Sequence, residues 1–347
     1  VKILKKIQKK YQHFVYTKLP LYFIWSPWAS NLYYFLFTNK FRRESHAVLV
    51  GKVKYLKENN KSKKNLYTLI RNIHRIEKGL LMIPRRDIFG LDFLKETVDN
   101  FESLYKDKTS CNSNQIKWAN DVLAEYFSVT AYHPIIDKQK TRFERIIDNN
   151  NNNNNNRLIP YLRHLDNKAD ISYEEFYKLL RYRRSVRWFE QKRVPRDLVD
   201  KAILAANQSP TACNRQPFEF RVIDDPELLA KIVRIPMGIK GYEHNIPMMV
   251  VTVGNLDAYF DERDRHVIYI DASLANMSFM LALETLGLSS CSINWPDIED
   301  LEKRMEKALN LDKYQRPIMC MAVGYPDYNG MVAYSEKRDL QELRKYN

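Results

Sequence analysis

The chain has 347 residues, 45% hydrophobic and 28% charged, with nine Gly and four Cys. That is material for roughly two domains, and it excludes a collagen-like, wholly disordered or disulfide-built protein. The formal charge of +14 is localised: residues 1–80 hold 18 Lys/Arg against 3 Asp/Glu, a net of +15, so residues 81–347 sum to about −1.

Residues 1–60 form a basic aromatic arm. Lys5, Lys6, Lys9 and Lys10 are followed by a polar stretch with no small-residue cleavage site, so no cleavable signal peptide is expected. Residues 19–39 carry no charge and have about the length that spans a bilayer. Pro20 and Pro27 interrupt a helix there, and Ser26, Ser30 and Asn31 are polar, which disfavours a simple span. Tyr22, Phe23, Trp25, Trp28, Tyr33, Tyr34, Phe35 and Phe37 suit two alternatives. One is packing on the chain's own body or a partner subunit; the other is an anionic membrane surface engaged through residues 1–45. Nucleic acid is disfavoured, because the aromatics are segregated from most of the lysines.

Residues 61–148 read as a helical module. Helical periodicity covers 64–81, 91–105 and 114–127, with Leu94, Val98, Phe101 and Leu104 on one stripe. The run His74-Arg75-Ile76-Glu77-Lys78-Gly79-Leu80 fits an exposed face with local ion pairs. Residues 149–156, eight consecutive Asn, read as a linker.

In residues 157–347 helices are expected over 173–181 and from Val194-Pro195 to about 206, the second with Leu198, Val199, Ala202, Ile203 and Ala206 on one face. Short β-like runs fall at 219–223, 248–253, 288–293 and 318–323. Residues 266–286 are nearly apolar all round, which demands burial on every side and points to a central helix shared with a second copy. The order lacks a regular β-α-β rhythm, so the fold class is α+β. The cysteines lack zinc-ligand spacing, which indicates small core hydrophobes in a reducing compartment and therefore a cytoplasmic protein, peripheral at a membrane if the arm engages lipid.

Three segments could carry chemistry. Arg183, Arg184, Ser185 and Arg187, within Arg181-Tyr182-Arg183-Arg184-Ser185-Val186-Arg187-Trp188-Phe189, offer guanidinium forks and a hydroxyl to an anion. The loop Ser209-Pro210-Thr211-Ala212-Cys213-Asn214-Arg215-Gln216-Pro217-Phe218 exposes backbone groups and amides suited to a polar heterocycle. Lys337 and Arg338 follow a strand ending Val323-Gly324-Tyr325-Pro326.

These segments, with the Leu-Gly-Leu turn at 286–288, resemble the nitroreductase family of FMN-dependent oxidoreductases over roughly residues 173–343. The resemblance implies a sheet flanked by helices and a homodimer binding FMN at the subunit interface. It also implies NAD(P)H as donor and a small-molecule acceptor. Arg183 and Ser185 would hold the phosphate with Lys337 or Arg338, with Arg184 beside them, and Arg187 would lie near N1 and O2 of the flavin ring. Pro210, Thr211, Ala212, Asn214 and Gln216 would come from the other subunit. Ile293 and Asn294 would line N5 through their backbone. Trp295 departs from the family pattern and would narrow the substrate face, and His244 fits a structural role. No side chain is expected as an acid–base catalyst, since the flavin carries the chemistry. The helix containing His74 to Leu80 is similar to that of nitroreductase-like proteins associated with surface-polysaccharide biosynthesis. The competing reading is a membrane-associated flavin-fold binding or scaffold protein with little turnover.

Overall fold

The computed structural model describes residues 2–107, 113–147 and 157–347, so Cys111 and the Asn-rich segment 149–156 lie outside the described residues. Twelve helices matter for the argument. In the arm these are α1 (Lys2–His13), α2 (Pro27–Leu36) and α3 (Arg42–Lys57). The helical module holds α4 (Leu66–Leu80), α5 (Leu91–Tyr105), α6 (Asn114–Val129) and α7 (Pro134–Ile147). The last part holds α8 (Tyr173–Tyr182), α9 (Arg196–Ala206), α10 (Pro226–Ile232), α11 (Val267–Thr285) and α12 (Glu299–Leu309).

Four strands, β1 (Phe218–Ile223), β2 (Met248–Asn255), β3 (Ser289–Asn294) and β4 (Gln315–Gly324), form one sheet among the described residues. Its order is β1-β2-β4-β3 and every pair is antiparallel. The class is α+β, as the irregular alternation of elements predicts. Side-chain alternation sorts the core into two layers. Met248, Val250, Met321 and Val323 pack with Ala202, Ala206, Ala275, Phe279 and Leu283 of α9 and α11. Met249, Val251, Cys291, Ile293, Cys320 and Ala322 face Ile232 and Met305 of α10 and α12. β2 and β4, central in the sheet, are buried on both faces, which is why their sequences read as near-continuous apolar runs, whereas β1 at the edge is mostly half-buried.

The helical module has its own core: Leu94, Val98, Phe101 and Leu104 are buried with Leu69, Ile73, Leu123 and Phe143. Asn65 caps α4 by accepting from the Thr68 N–H at 2.8 Å, while its own N–H donates to Asn100 Oδ1 at 2.9 Å. The α4 run behaves as an ion-paired surface: Arg75 lies 3.6 Å from the Phe93 ring centroid and 3.5 Å from Asp92, and His74 approaches Glu77 at 3.6 Å. Gly79 is there for space, since a Cβ would sit 2.2 Å from the Phe89 ring.

The arm is divided. Residues 19–39 are not one helix: a short 3₁₀ turn over Leu19–Tyr22 precedes α2, which starts at Pro27 with Ser26 as its cap. The two prolines break the segment as expected. α3, which periodicity did not reveal, docks on the sheet domain. Its Gly51 lies against the 256–257 backbone so closely that a Cβ would meet Leu256 C at 2.7 Å. Lys54 donates to Asp257 Oδ2 and to the Tyr314 hydroxyl, both at 2.7 Å, and Arg43 pairs with Glu302 at 3.2 Å and with Glu306.

Within one chain α11 turns Ile268, Ala272, Phe279 and Leu283 inward and leaves Ile270 and Leu274 58% and 45% exposed, so its burial on every side is not reached by this chain alone. It also buries Asp271 and Asn276, and Asn276 accepts from Thr252 Oγ1 at 2.6 Å. The second helix of this part opens at Arg196, with Pro195 as its cap, not at Val194.

Candidate active site

The site begins with a backbone pairing. Ser185 forms a parallel bridge to Ser290 of β3, with the Val186 N–H donating to the Ser290 carbonyl at 3.1 Å. Downstream, Phe189 bridges antiparallel to Pro326 after β4, and the Glu190 N–H donates to the Tyr325 carbonyl at 2.9 Å. Segment 185–190 is thereby held along the β3 edge of the sheet. Asn245 fixes it from the other side, accepting from the Phe189 N–H at 2.5 Å and donating to its carbonyl at 3.2 Å. The result places Arg183, Ser185 and Arg187 beside the strand that ends in Ser292, Ile293 and Asn294.

The charged groups there are only partly spoken for. Arg183 is half-buried, and its Nε is buried with no hydrogen-bond partner; the Ser290 hydroxyl is in the same condition. Arg187 is exposed, donates weakly to its neighbour's Ser185 carbonyl at 3.4 Å and lies 5.9 Å from the Tyr242 ring centroid. Glu284, in the last turn of α11, is pushed up to about 7 by burial, against the Ser289 hydroxyl that donates to it at 3.1 Å and the nearby Arg183 charge. Unpaired buried donors of this kind are costly unless a ligand satisfies them.

The C-terminal segment returns to the same place. The Glu336 carboxyl is held below its usual range first by the Lys337 N–H, then by the Tyr334 hydroxyl and the charges of Arg181 and Arg184. Lys337 and Arg338 are exposed beside this group. Arg184 is half-buried, and Lys178, Arg181 and Arg184 line a surface cavity of about 490 Å³ with Tyr173, Tyr177 and Tyr182.

The loop before β1 is built differently and stands elsewhere. Cys213, Asn214 and Gln216 have φ of 53°, 54° and 50°, a strained left-handed backbone for non-glycine residues. The Ala212 N–H donates to Asp271 Oδ2 at 3.0 Å, the Gln216 N–H to Thr211 Oγ1 at 3.2 Å, and Gln216 Nε2 to Asn214 Oδ1 at 3.2 Å. Arg215 is buried 4.7 Å from the Tyr259 ring centroid and 3.9 Å from Asp264, with its Nε unpartnered. Pro210 is exposed at the loop's entrance. This loop precedes β1, so within one chain Pro210, Thr211, Ala212, Asn214 and Gln216 occupy the sheet edge opposite to Arg183, Ser185 and Arg187.

Trp295 does not narrow a substrate face. It is buried in the core, and its indole N–H donates to Glu302 Oε1 at 2.6 Å. An indole of that size finds a partner for its one donor when buried, and here the partner is a carboxylate inside the domain. Ile293 is likewise a core side chain, so only its backbone is available at the edge, while Asn294 is exposed. His244 is exposed and packs edge-on to Trp188, 6.2 Å between ring centroids. Sequence reasoning missed Glu284, Asn245 and Ser290, polar residues in an apolar or loop context with no local motif to mark them, and it gave Arg215 no role although it stands inside the loop singled out.

Residues 180–239 and 244–325 match the family model described as Nitroreductase family. A Methanothermobacter thermautotrophicus protein provisionally named NADH dehydrogenase/NAD(P)H nitroreductase is 28% identical over 170 residues, covering 48% of this chain and 84% of that protein. Human iodotyrosine deiodinase 1 is 24% identical over 198 residues, covering 49% of this chain and 68% of the relative. Among solved structures, an FMN-dependent nitroreductase from Clostridium difficile R20291 is 24% identical and covers 49% of this chain and 98% of its own, with a TM-score of 0.42.

Proposed function

We propose that this chain works as an FMN-dependent oxidoreductase of nitroreductase type, a reading that the match of residues 180–239 and 244–325 supports: NAD(P)H donates hydride, a small organic acceptor receives it, and two copies of the chain complete each site. The observation that carries it is the Ser185–Ser290 bridge, which sets a half-buried arginine with an unsatisfied Nε beside the β3 edge. The donor set fits FMN. A phosphate would satisfy Arg183 and the Ser185 hydroxyl, with Arg184, Lys337 and Arg338 adding positive charge around it.

Bound FMN supplies the two-electron chemistry. Arg187, exposed beside the β3 edge, would place a cation where negative charge collects on the reduced ring. The backbone of Ile293 and Asn294 would support the ring edge. Pro210, Thr211, Ala212, Asn214 and Gln216 would reach the ring from the second copy. The separation of the two half-sites supports this arrangement, as do Ile270 and Leu274 exposed on α11 and the absence of buried residues in α8. By the resemblance of the α4 sequence, the acceptor would belong to surface-polysaccharide metabolism.

The test is the absorption spectrum of the purified chain and of Arg183→Ala. The expected outcome is a yellow, dimeric protein bleached anaerobically by NADH or NADPH, and a folded variant that loses flavin on gel filtration. Full FMN occupancy in Arg183→Ala would overturn the phosphate assignment. A flavin-loaded monomer at low micromolar concentration would overturn the two-copy site.

A further inference from the structure

The outer face of residues 1–37 belongs to neither the flavin site nor the core. Residues 1–43 contain nine Lys/Arg and no Asp/Glu; the first acid is Glu44. On α1, Ile3, Leu4, Ile7 and Tyr11 follow helical spacing and continue into Phe14, with lysines on the opposite and flanking sides. Nothing among the described residues covers that apolar stripe: Ile3 is 77% exposed, Leu4 71%, and Ile7 and Tyr11 59% each. The following turn and α2 add Ile24, Trp25, Trp28 and Phe35, exposed by 71%, 77%, 85% and 78%.

The inner face of the same segment is well made. Tyr33 is buried, donates its hydroxyl to the Val15 carbonyl at 2.8 Å and packs with Phe23 and Phe37. Thus the outward aromatics are presented by an ordered turn. Between α1 and the residues after it, Lys6, Lys9, Lys10, His13 and Lys18 line a groove of about 460 Å³ with no acidic side chain among the described residues.

We propose that this face docks on an anionic lipid bilayer surface, its apolar stripe at the acyl boundary and its lysines among the headgroup phosphates. Charge decides the occupant. A protein partner or a second copy would bring this basic face against another basic face or require an acidic one, whereas an anionic leaflet meets Lys5, Lys6, Lys9, Lys10 and Lys18 at once. Exposed Trp and Tyr at the rim are the side chains that settle at such an interface.

The test is flotation of the full chain with vesicles of phosphatidylglycerol and phosphatidylcholine, and with phosphatidylcholine alone. Binding is expected only with the anionic vesicles, and it should weaken as salt rises from low to physiological strength. The quadruple variant K5Q/K6Q/K9Q/K10Q should weaken binding about fivefold for each charge engaged. W25S/W28S alters only exposed rings, so it should stay folded and also lose affinity. A chain that stays with the unbound fraction at low salt overturns the proposal. So does equal binding to neutral and anionic vesicles, or sedimentation showing that W25S/W28S only converts a larger oligomer into a smaller one.

Discussion

Glu302→Gln tests the joint between the arm and the sheet domain. Glu302 is 1% exposed and meets three donors: Trp295 Nε1 at 2.6 Å, Arg43 Nε at 3.2 Å and Arg316 Nη1 at 3.5 Å. Arg316 is buried too, and its Nε and Nη1 make no hydrogen bond. Its firm contact is Nη2 to Asp297 Oδ1 at 2.9 Å, and Asp297 is 42% exposed, hence a screened partner. Glutamine keeps the shape and still accepts from Trp295, but it leaves two guanidiniums without the central charge. Breaking a buried pair by removing one partner costs about 3–5 kcal/mol, because the remaining ion is stranded. Asp297 retains part of the attraction, so the lower end, about 3 kcal/mol, applies. For a domain of this size about 2–4 °C is lost per kcal/mol, giving a Tm drop of about 6–12 °C by circular dichroism. Arg43→Gln should cost only about 1 kcal/mol, since Glu302 keeps Arg316 and Glu306 keeps Lys313. The reasoning fails if Glu302→Gln costs less than about 1 kcal/mol, or if the two variants cost the same.

The remaining predictions concern single groups. Glu284 has its folded pKa raised to about 7, so its stabilisation is complete below the ordinary carboxylate range and disappears as pH rises to about 7. After discounting for partial exposure, Glu284→Gln should gain about 1–2 kcal/mol at pH 8 over wild type and flatten the slope between pH 5 and 7; parallel urea-stability profiles would contradict this. Asp99 and Glu102 both flank Arg142 and are held below the usual range against their burial, so the stability they add at neutral pH is lost as pH falls through their folded values. Arg142→Met should reduce that acid-side loss in the helical module without abolishing it, because Lys95 and Lys106 still pair with the two carboxyls, read by hydrogen exchange at α5. Gly79→Ala should destabilise the same module by about 1–3 kcal/mol, because the new methyl collides with Phe89, and an unchanged melting curve would refute the packing.

What the sequence made legible follows from how each element buries its side chains. Strands β2 and β4 announce themselves because both faces are covered, so every position wants an apolar residue. The α5 stripe of Leu94, Val98, Phe101 and Leu104 is equally plain. α3 was hidden because its buried positions are Ala47, Gly51 and Tyr55, at intervals of four but mostly small. Close backbone approach to Leu256 needs small side chains, and hydrophobic periodicity is blind to them. α12 escaped for the opposite reason: it buries Glu302 and Met305, and a carboxylate in a core looks like a surface charge until its partners are seen. Trp295 misled because its place in the motif suggested the edge, while the alternation of β3 turns it inward beside Ile293's core cluster.

The site residues were legible as three segments, but their assembly was not, and the sheet order explains why. The Arg183–Arg187 stretch lies along β3 and the Ala212–Gln216 turn precedes β1, with β2 and β4 between. Three strand spacings of about 4.8 Å put these edges roughly 14 Å apart, beyond what side chains bridge through a filled core. A single chain therefore cannot close one pocket from both. Yet the loop is held in an expensive conformation, with three non-glycine residues at positive φ and a buried arginine and aspartate fixing it. Such strain persists where the surroundings impose it, and here Asp271, Asp264 and Tyr259 of the same chain impose it, presenting the loop at the outer surface. The same holds for Ile270 and Leu274 on α11, the helix whose Asp271 grips that loop. Loop geometry and helix exposure thus point to one outer surface, so substituting Ile270 and Leu274 together with Asp should release subunits and flavin in the same titration rather than separately.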